Sequence, residues 1–148
     1  MRKLLAFILT IFLSGTLNAQ NDSDTTIYVP ENTIVKLSYN NDFVYFKMKN
    51  NKYAKAFIEM LPLTIYMDPY IENTTLVGSI NKDFGEETTE PVMISQGDLF
   101  INPNLKQVGF IYDMYVGTYS VQTIGRQVGR KNIFKSAYNG AEVTFSVK

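Results

Sequence analysis

An all-β, mostly antiparallel closed barrel with one or two short helices is the fold that this sequence predicts. Three observations point to it. From Thr25 onward, apolar and polar residues alternate mostly with period two, the spacing of strands with one buried face. Asn, Asp, Gly and Pro clusters cut that pattern into roughly eight or nine short segments. A single stretch, Tyr53 to Leu61, carries helical spacing instead. Closure is expected because short strands in an open sheet would leave unpaired edges.

The elements follow in order. Thr33 to Tyr39 places Val35, Leu37 and Tyr39 on one face, and Phe43 to Met48 alternates Val44, Phe46 and Met48 against Phe43, Tyr45 and Lys47. Asn40-Asn41-Asp42 between them tolerates left-handed angles, so the pair is a β-hairpin. Tyr53, Ala54, Phe57, Ile58 and Leu61 then share one helical face. Pro62 has no backbone donor and biases Leu61 away from helical angles, so the helix should stop there. Leu63 to Met67 has strand chemistry. Asp68 to Asn73 is expected to be a loop, Thr74 to Ile80 a short strand and Asn81 to Glu90 an acidic surface loop. Structure resumes at Pro91 to Ile94. Gly97 to Ile101 and Gln107 to Tyr112 are strands joined by a turn at Asn102-Pro103-Asn104. Tyr115 and Tyr119 flank Gly117 in an expected loop. Tyr119 to Ile124 is a strand, Gly125 to Lys131 a basic turn and Ala141 to Val147 the closing strand.

The start of the chain has a different character. Arg2 and Lys3 precede ten apolar or small residues, Leu4 to Leu13, and a small, polar exit at Ser14 to Ala19. This is the pattern of a secretory signal peptide cleaved after Ala19. The run is short for a membrane span, which needs about 20 residues, so no stable membrane insertion is expected after cleavage. The absence of cysteine excludes a lipid-modified cysteine anchor. The mature chain, Gln20 to Lys148, is expected to be one exported domain, periplasmic or extracellular, and monomeric. Gln20 to Asp24 is polar and is expected to fray.

Composition excludes several chemistries. The sequence has no histidine and no cysteine. It therefore has no imidazole base, no Ser-His-Asp triad, no thiol nucleophile, no thiolate metal site and no disulfide. No metal or other cofactor is expected. Without Arg2 and Lys3, 12 basic side chains face 14 acidic ones, too little positive charge for nucleic acid. The core must carry the fold alone, and 10 Tyr and 10 Phe supply large buried rings.

Three patches carry a resemblance. Asn51 to Thr64, NKYAKAFIEMLPLT, resembles the N-x-x-A-K-A-F/L-x-x-x-L-P-L-T run of the cyclophilin-like family of small bacterial β-barrel domains. Gln96-Gly97-Asp98-Leu99-Phe100 with Val108-Gly109-Phe110-Ile111-Tyr112 is similar to that family's G-D-L/I and L-x-x-F-Y strands, and Ile124-Gly125-Arg126 to its I-G-R. The resemblance implies a closed barrel and no particular activity. The Glu-Lys pair of many relatives is not kept at Tyr70 to Thr75, where Glu72 lacks an adjacent Lys. True cyclophilins are prolyl isomerases with the signature R-x-x-x-x-F-x-x-Q-G-G-D. If Gln96 takes the signature Gln position, Met93 stands at the Phe and Thr88 at the Arg. The arginine is missing, and losing such a stabiliser costs about 10²–10³ in rate where measured.

The candidate ligand-binding residues are Met93, Gln96, Tyr112, Tyr115 and Arg126, and no residue is assigned a catalytic role. Arg126 suits bidentate contacts to a carboxylate or a peptide carbonyl. Gln96 can hold an extended peptide through its amide, as the family comparison implies. Tyr112, Tyr115 and Tyr119 with Phe110 can floor a groove, although barrel core is the commoner use of such rings. Asp98 is expected to bond nearby backbone N–H groups. Asp83, Glu86, Glu87 and Glu90 match no calcium loop. Arg126, Arg130, Lys131 and Lys135 form a basic run of the size of an ordinary solvated face. The expectation is a non-catalytic module that binds an extended peptide or small molecule. The alternative is a weak, divergent prolyl isomerase in which Arg126 replaces the missing cation.

Overall fold

The computed structural model describes residues 26–85 and 90–148. The signal-peptide expectation, Thr88, Glu86 and Glu87 lie outside those residues. Among the described residues, ten strands and one helix run in the order β1 (Ile34–Tyr39), β2 (Asp42–Met48), α1 (Lys52–Ile58), β3 (Leu63–Tyr70), β4 (Thr75–Ser79), β5 (Val92–Ser95), β6 (Asp98–Asn102), β7 (Gln107–Ile111), β8 (Val116–Tyr119), β9 (Gln122–Val128) and β10 (Ala141–Val147). Eight of them close a barrel in the order β1-β10-β3-β4-β7-β6-β9-β2, and β5 with β8 forms a separate two-stranded ribbon. Every pairing is antiparallel.

Period-two burial puts Val35 and Leu37 of β1, Val44, Phe46 and Met48 of β2, and Val143 and Phe145 of β10 inside the barrel. Phe46 and Phe110 meet edge to face at 4.8 Å across it, a geometry that the ring quadrupoles favour. Helix α1 covers one end. Its N-cap Asn51 accepts from the Ala54 N–H at 2.8 Å and donates to the Thr123 carbonyl at 3.0 Å, tying the helix start to β9. Tyr53, Ala54 and Phe57 are its buried residues, and Phe57 packs edge to face on Phe145 at 5.2 Å. The helix closes at Glu59, short of the expected stop, and Met60 and Leu61 complete it with turn bonds to Phe57 and Ile58. The Leu61–Pro62 bond is cis.

The ribbon lies on the outer wall of the barrel. It explains why β6 is buried on both faces: Leu99 and Ile101 face the main core, while Phe100 joins a second, smaller core with Ile94, Ile111 and Val121. The Phe100 ring lies over Gly109, where a Cβ would stand 2.1 Å from the ring. Only glycine admits that approach.

Three local expectations are corrected. Strand β3 continues through Asp68-Pro69-Tyr70, where a loop was expected, because β4 pairs with those residues. Pro69 is tolerated because the β10 ladder ends earlier, at Ala141 opposite Met67. The turn follows at Ile71, Glu72 and Asn73, all at positive φ. Val116 to Tyr119 is a strand, not a loop, because it pairs with β5. Strand β9 runs on to Val128, so Arg126 sits in a ladder between Lys47 and Asp98 and not in a turn. The ribbon accounts for the tenth strand.

Candidate functional site

The candidate site forms at the barrel end opposite the helix, where β5 turns into β6. Ser95 closes β5, Asp98 opens β6, and Gln96-Gly97 connect them. Gly97 has φ of +94°, a region that glycine enters without a Cβ penalty. Its N–H donates to the Ile111 carbonyl at 2.8 Å and its carbonyl accepts from the Gln127 N–H at 2.7 Å. The turn is thereby stitched to both β7 and β9.

Asp98 organises this turn. It is 6 % exposed. One carboxylate oxygen accepts from the Ser95 N–H at 2.8 Å, the backbone contact expected of it. The other accepts from Arg126 Nη1 at 2.7 Å, a pairing that sequence alone did not show. Arg126 Nη2 also donates to the Gln96 carbonyl at 3.3 Å. The guanidinium is thus held across the turn, with its outer face open to solvent.

Beside it lies an open groove of about 500 Å³. Ser95, Gln96 and Gly97 line it together with Met114, Tyr115 and Val116 and with Arg126, Gln127, Gly129 and Arg130. Of the five candidate residues, Gln96, Tyr115 and Arg126 come together here. Met93 lies on β5 opposite Thr118, 73 % exposed, and is not part of the lining. Tyr112 is not on the groove floor. Its ring is buried in the core against Phe134 at 5.6 Å, and only its backbone carbonyl serves the site, accepting from Gln96 Nε2 at 3.4 Å. Ring burial wins because β7 delivers Tyr112 to the inside of the barrel end.

Tyr115 and Tyr119 join two regions. Their hydroxyls are 2.8 Å apart. The Tyr115 ring crosses Gly117, where a Cβ would stand 2.1 Å from its hydroxyl oxygen. Tyr119 reaches a second, mostly apolar cavity of about 150 Å³, shared with Ile94, Phe100 and Val121. The Tyr115 hydroxyl contact raises the pKa of Tyr119 above the usual tyrosine value, with burial adding to it. Burial does the same to Tyr112, helped by the charges of Asp113 and Tyr138.

A pH dependence follows. A raised pKa means that the folded state holds the Tyr112 proton more tightly than the unfolded state. The stability this represents is complete below the ordinary tyrosine value near 10 and is lost as pH rises through the folded pKa. Urea melts at pH 7, 9 and 11 should show stability falling only above about pH 10, and Tyr112→Phe should flatten that fall. An equally steep fall in the variant would rule out Tyr112 as a contributor.

Met114, Val116, Gln127 and Gly129 were not singled out by sequence reasoning, because nothing local brings them near Gln96. Arg130 belonged to a basic run that resembled a solvated face. Of the acidic loop, Asp83 accepts from the Gly85 N–H at 2.8 Å. Among the described residues no three His, Cys, Asp or Glu side chains gather as a metal site, and no helix is long and apolar enough to cross a membrane.

Comparison with known proteins agrees with the fold. The solution structure of the hypothetical protein AF2241 from Archaeoglobus fulgidus superposes with a TM-score of 0.62 at 14 % identity, over 79 % of this chain and 95 % of that one. No curated protein matches. The model of the cyclophilin-like family matches residues 37–146, from the first barrel strand to the last. The barrel, the three sequence patches and that match together make this chain a member of the cyclophilin-like family.

Proposed function

We propose that this barrel is an exported, non-catalytic binding module whose groove beside Gln96 and Arg126 holds an extended peptide or a small molecule. The observation that carries the reading is the groove itself. Its volume of about 500 Å³ falls within the roughly 300–1,000 Å³ common for ligand sites. One of its walls is a rigid turn locked by Asp98 and Arg126. Polar groups that fix a ligand's orientation share the lining with the apolar Met114 and Val116. Export is supported by Arg2, Lys3 and the Leu4 to Leu13 run, and a monomer is the form proposed.

The second reading, a divergent prolyl isomerase, draws on one contact: Arg126 reaches Gln96. It reaches the Gln96 carbonyl, however, while the Gln96 amide is turned to Tyr112. Binding is therefore preferred over turnover. NMR of the ¹⁵N-labelled protein with a Xaa-Pro peptide separates the two readings, because uncatalysed cis–trans exchange takes tens to hundreds of seconds. The expected result is shifts at Gln96, Gly97 and Val116 without exchange cross-peaks. Cross-peaks that vanish in Arg126→Ala would establish the isomerase instead.

A further inference from the structure

We infer that the groove's ligand is an organic anion whose carboxylate sits between the Arg126 and Arg130 guanidinium groups; this rests on the groove reading above. The lining includes two arginines and, among the described residues, no Asp or Glu. Asp98, just behind it, is turned to Arg126 and the Ser95 N–H. Asp113, next to Met114 in the chain, has a carboxylate oxygen occupied by the Met114 N–H at 2.7 Å. Lys131 is paired with Asp42, so it is not a competing cation.

The two arginines are placed differently. Arg126 is held on one side by Asp98 and the Gln96 carbonyl, yet its side chain stays 58 % exposed. A guanidinium has five N–H donors, so some remain for a ligand. Arg130 is delivered by the chain leaving β9. Gly129 turns it at φ of +84°, and Gln127 Nε2 clamps the Lys131 carbonyl at 2.7 Å. Arg130 has no ion pair among the described residues.

Charge decides the ligand class. Asp98 offsets the charge of Arg126, which leaves the groove with one uncompensated positive charge, that of Arg130. A carboxylate matches it. A phosphate monoester, at about −1.5 to −2 near neutral pH, would exceed it. The net formal charge of the whole chain is zero, so the preference is local and not a general attraction for anions. Met114 and Val116, 84 % and 66 % exposed, offer apolar lining to a chain attached to that carboxylate.

The test is a titration of the ¹⁵N-labelled protein with N-acetyl-Ala-Ala-Phe-Leu as free acid and as C-terminal amide, with 4-phenylbutyrate and its amide, and with inorganic phosphate. At least one acid should shift Gln96, Gly97 and Gly129 and bind about tenfold more tightly than its amide, the effect of one charge-assisted hydrogen bond. Arg130→Gln should abolish that difference with the melting temperature unchanged. Preference for the peptide acid or for phenylbutyrate identifies the carrier, and either supports the inference. Acid and amide binding equally at the groove would overturn the anion inference and leave the binding reading intact. So would a preference that survives Arg130→Gln, or phosphate binding more tightly than both acids. No shift at the groove from any probe would overturn both readings.

Discussion

Phe134→Ala should lower the unfolding free energy by about 3–5 kcal/mol, the usual cost of removing a fully buried ring. Phe134 belongs to no strand. It sits in the connection between β9 and β10, yet it is 1 % exposed. Its ring stacks on Tyr39 at 5.2 Å and meets Phe110 at 5.7 Å and Tyr112 at 5.6 Å. It therefore plugs the barrel end opposite α1, as Phe57 plugs the other. The connection runs from Gly129 to Gly140 and is pinned by local bonds, the Phe134 N–H to Asn132 at 2.9 Å and the Ala137 N–H to Phe134 at 2.9 Å. It cannot collapse to fill the void, so the cavity cost should be felt in full. A domain of this size has about 5–15 kcal/mol in total, so the loss is a large fraction. Urea unfolding should show a lower midpoint with an unchanged slope. A cost under about 1 kcal/mol, typical of an exposed site, would mean that this connection is not part of the core.

Asp98→Ala should cost about 2–3 kcal/mol and disorder the candidate groove in the same step. The substitution leaves the part-buried Ser95 N–H without its acceptor, and an unsatisfied donor costs up to about 1–3 kcal/mol. It also releases Arg126, whose exposed guanidinium makes the ion pair itself worth less than a fully buried one. Most of the loss should thus come from the turn. Urea melts give the energy, and the ¹⁵Nε signal of Arg126 reports the release, since a guanidinium fixed between Asp98 and Gln96 exchanges slowly. An Arg126 signal unaltered in Asp98→Ala would show that the arginine is positioned by something else. Melts shifted as much in Arg126→Gln as in Asp98→Ala would show that the pair, not the turn, carries the energy.

Much of the fold was legible in the chain. Alternation at Val35-Leu37 and Val44-Phe46-Met48 identified inward faces, because period two is imposed by the strand backbone itself. Asn40-Asn41 marked its hairpin, and Ala141 to Val147 was bounded correctly at both ends. The errors fell where pairing overrides local preference. Pro69 and Gly125 signal breaks, but each lies beside a neighbouring strand that keeps the segment extended. Gly117 signals a loop, but β5 lies along it.

The site divides along the same line. The sequence determined by itself the residue inventory: no histidine, no cysteine, the missing cyclophilin arginine, and Gln96, Asp98 and Arg126 as residues with something to do. It also determined the family and the barrel, since those rest on alternation and local motifs. Only the tertiary structure decided that Arg126 faces Asp98, that Tyr112 belongs to the core, and that Met114, Val116 and Arg130 join Gln96 around one groove. Register is the physical reason. Arg126 and Asp98 are 28 positions apart and meet because β9 pairs with β6, in a ladder whose register shifts between Leu99 and Phe100. No local signal states which strands will pair, so no local signal could assemble the groove.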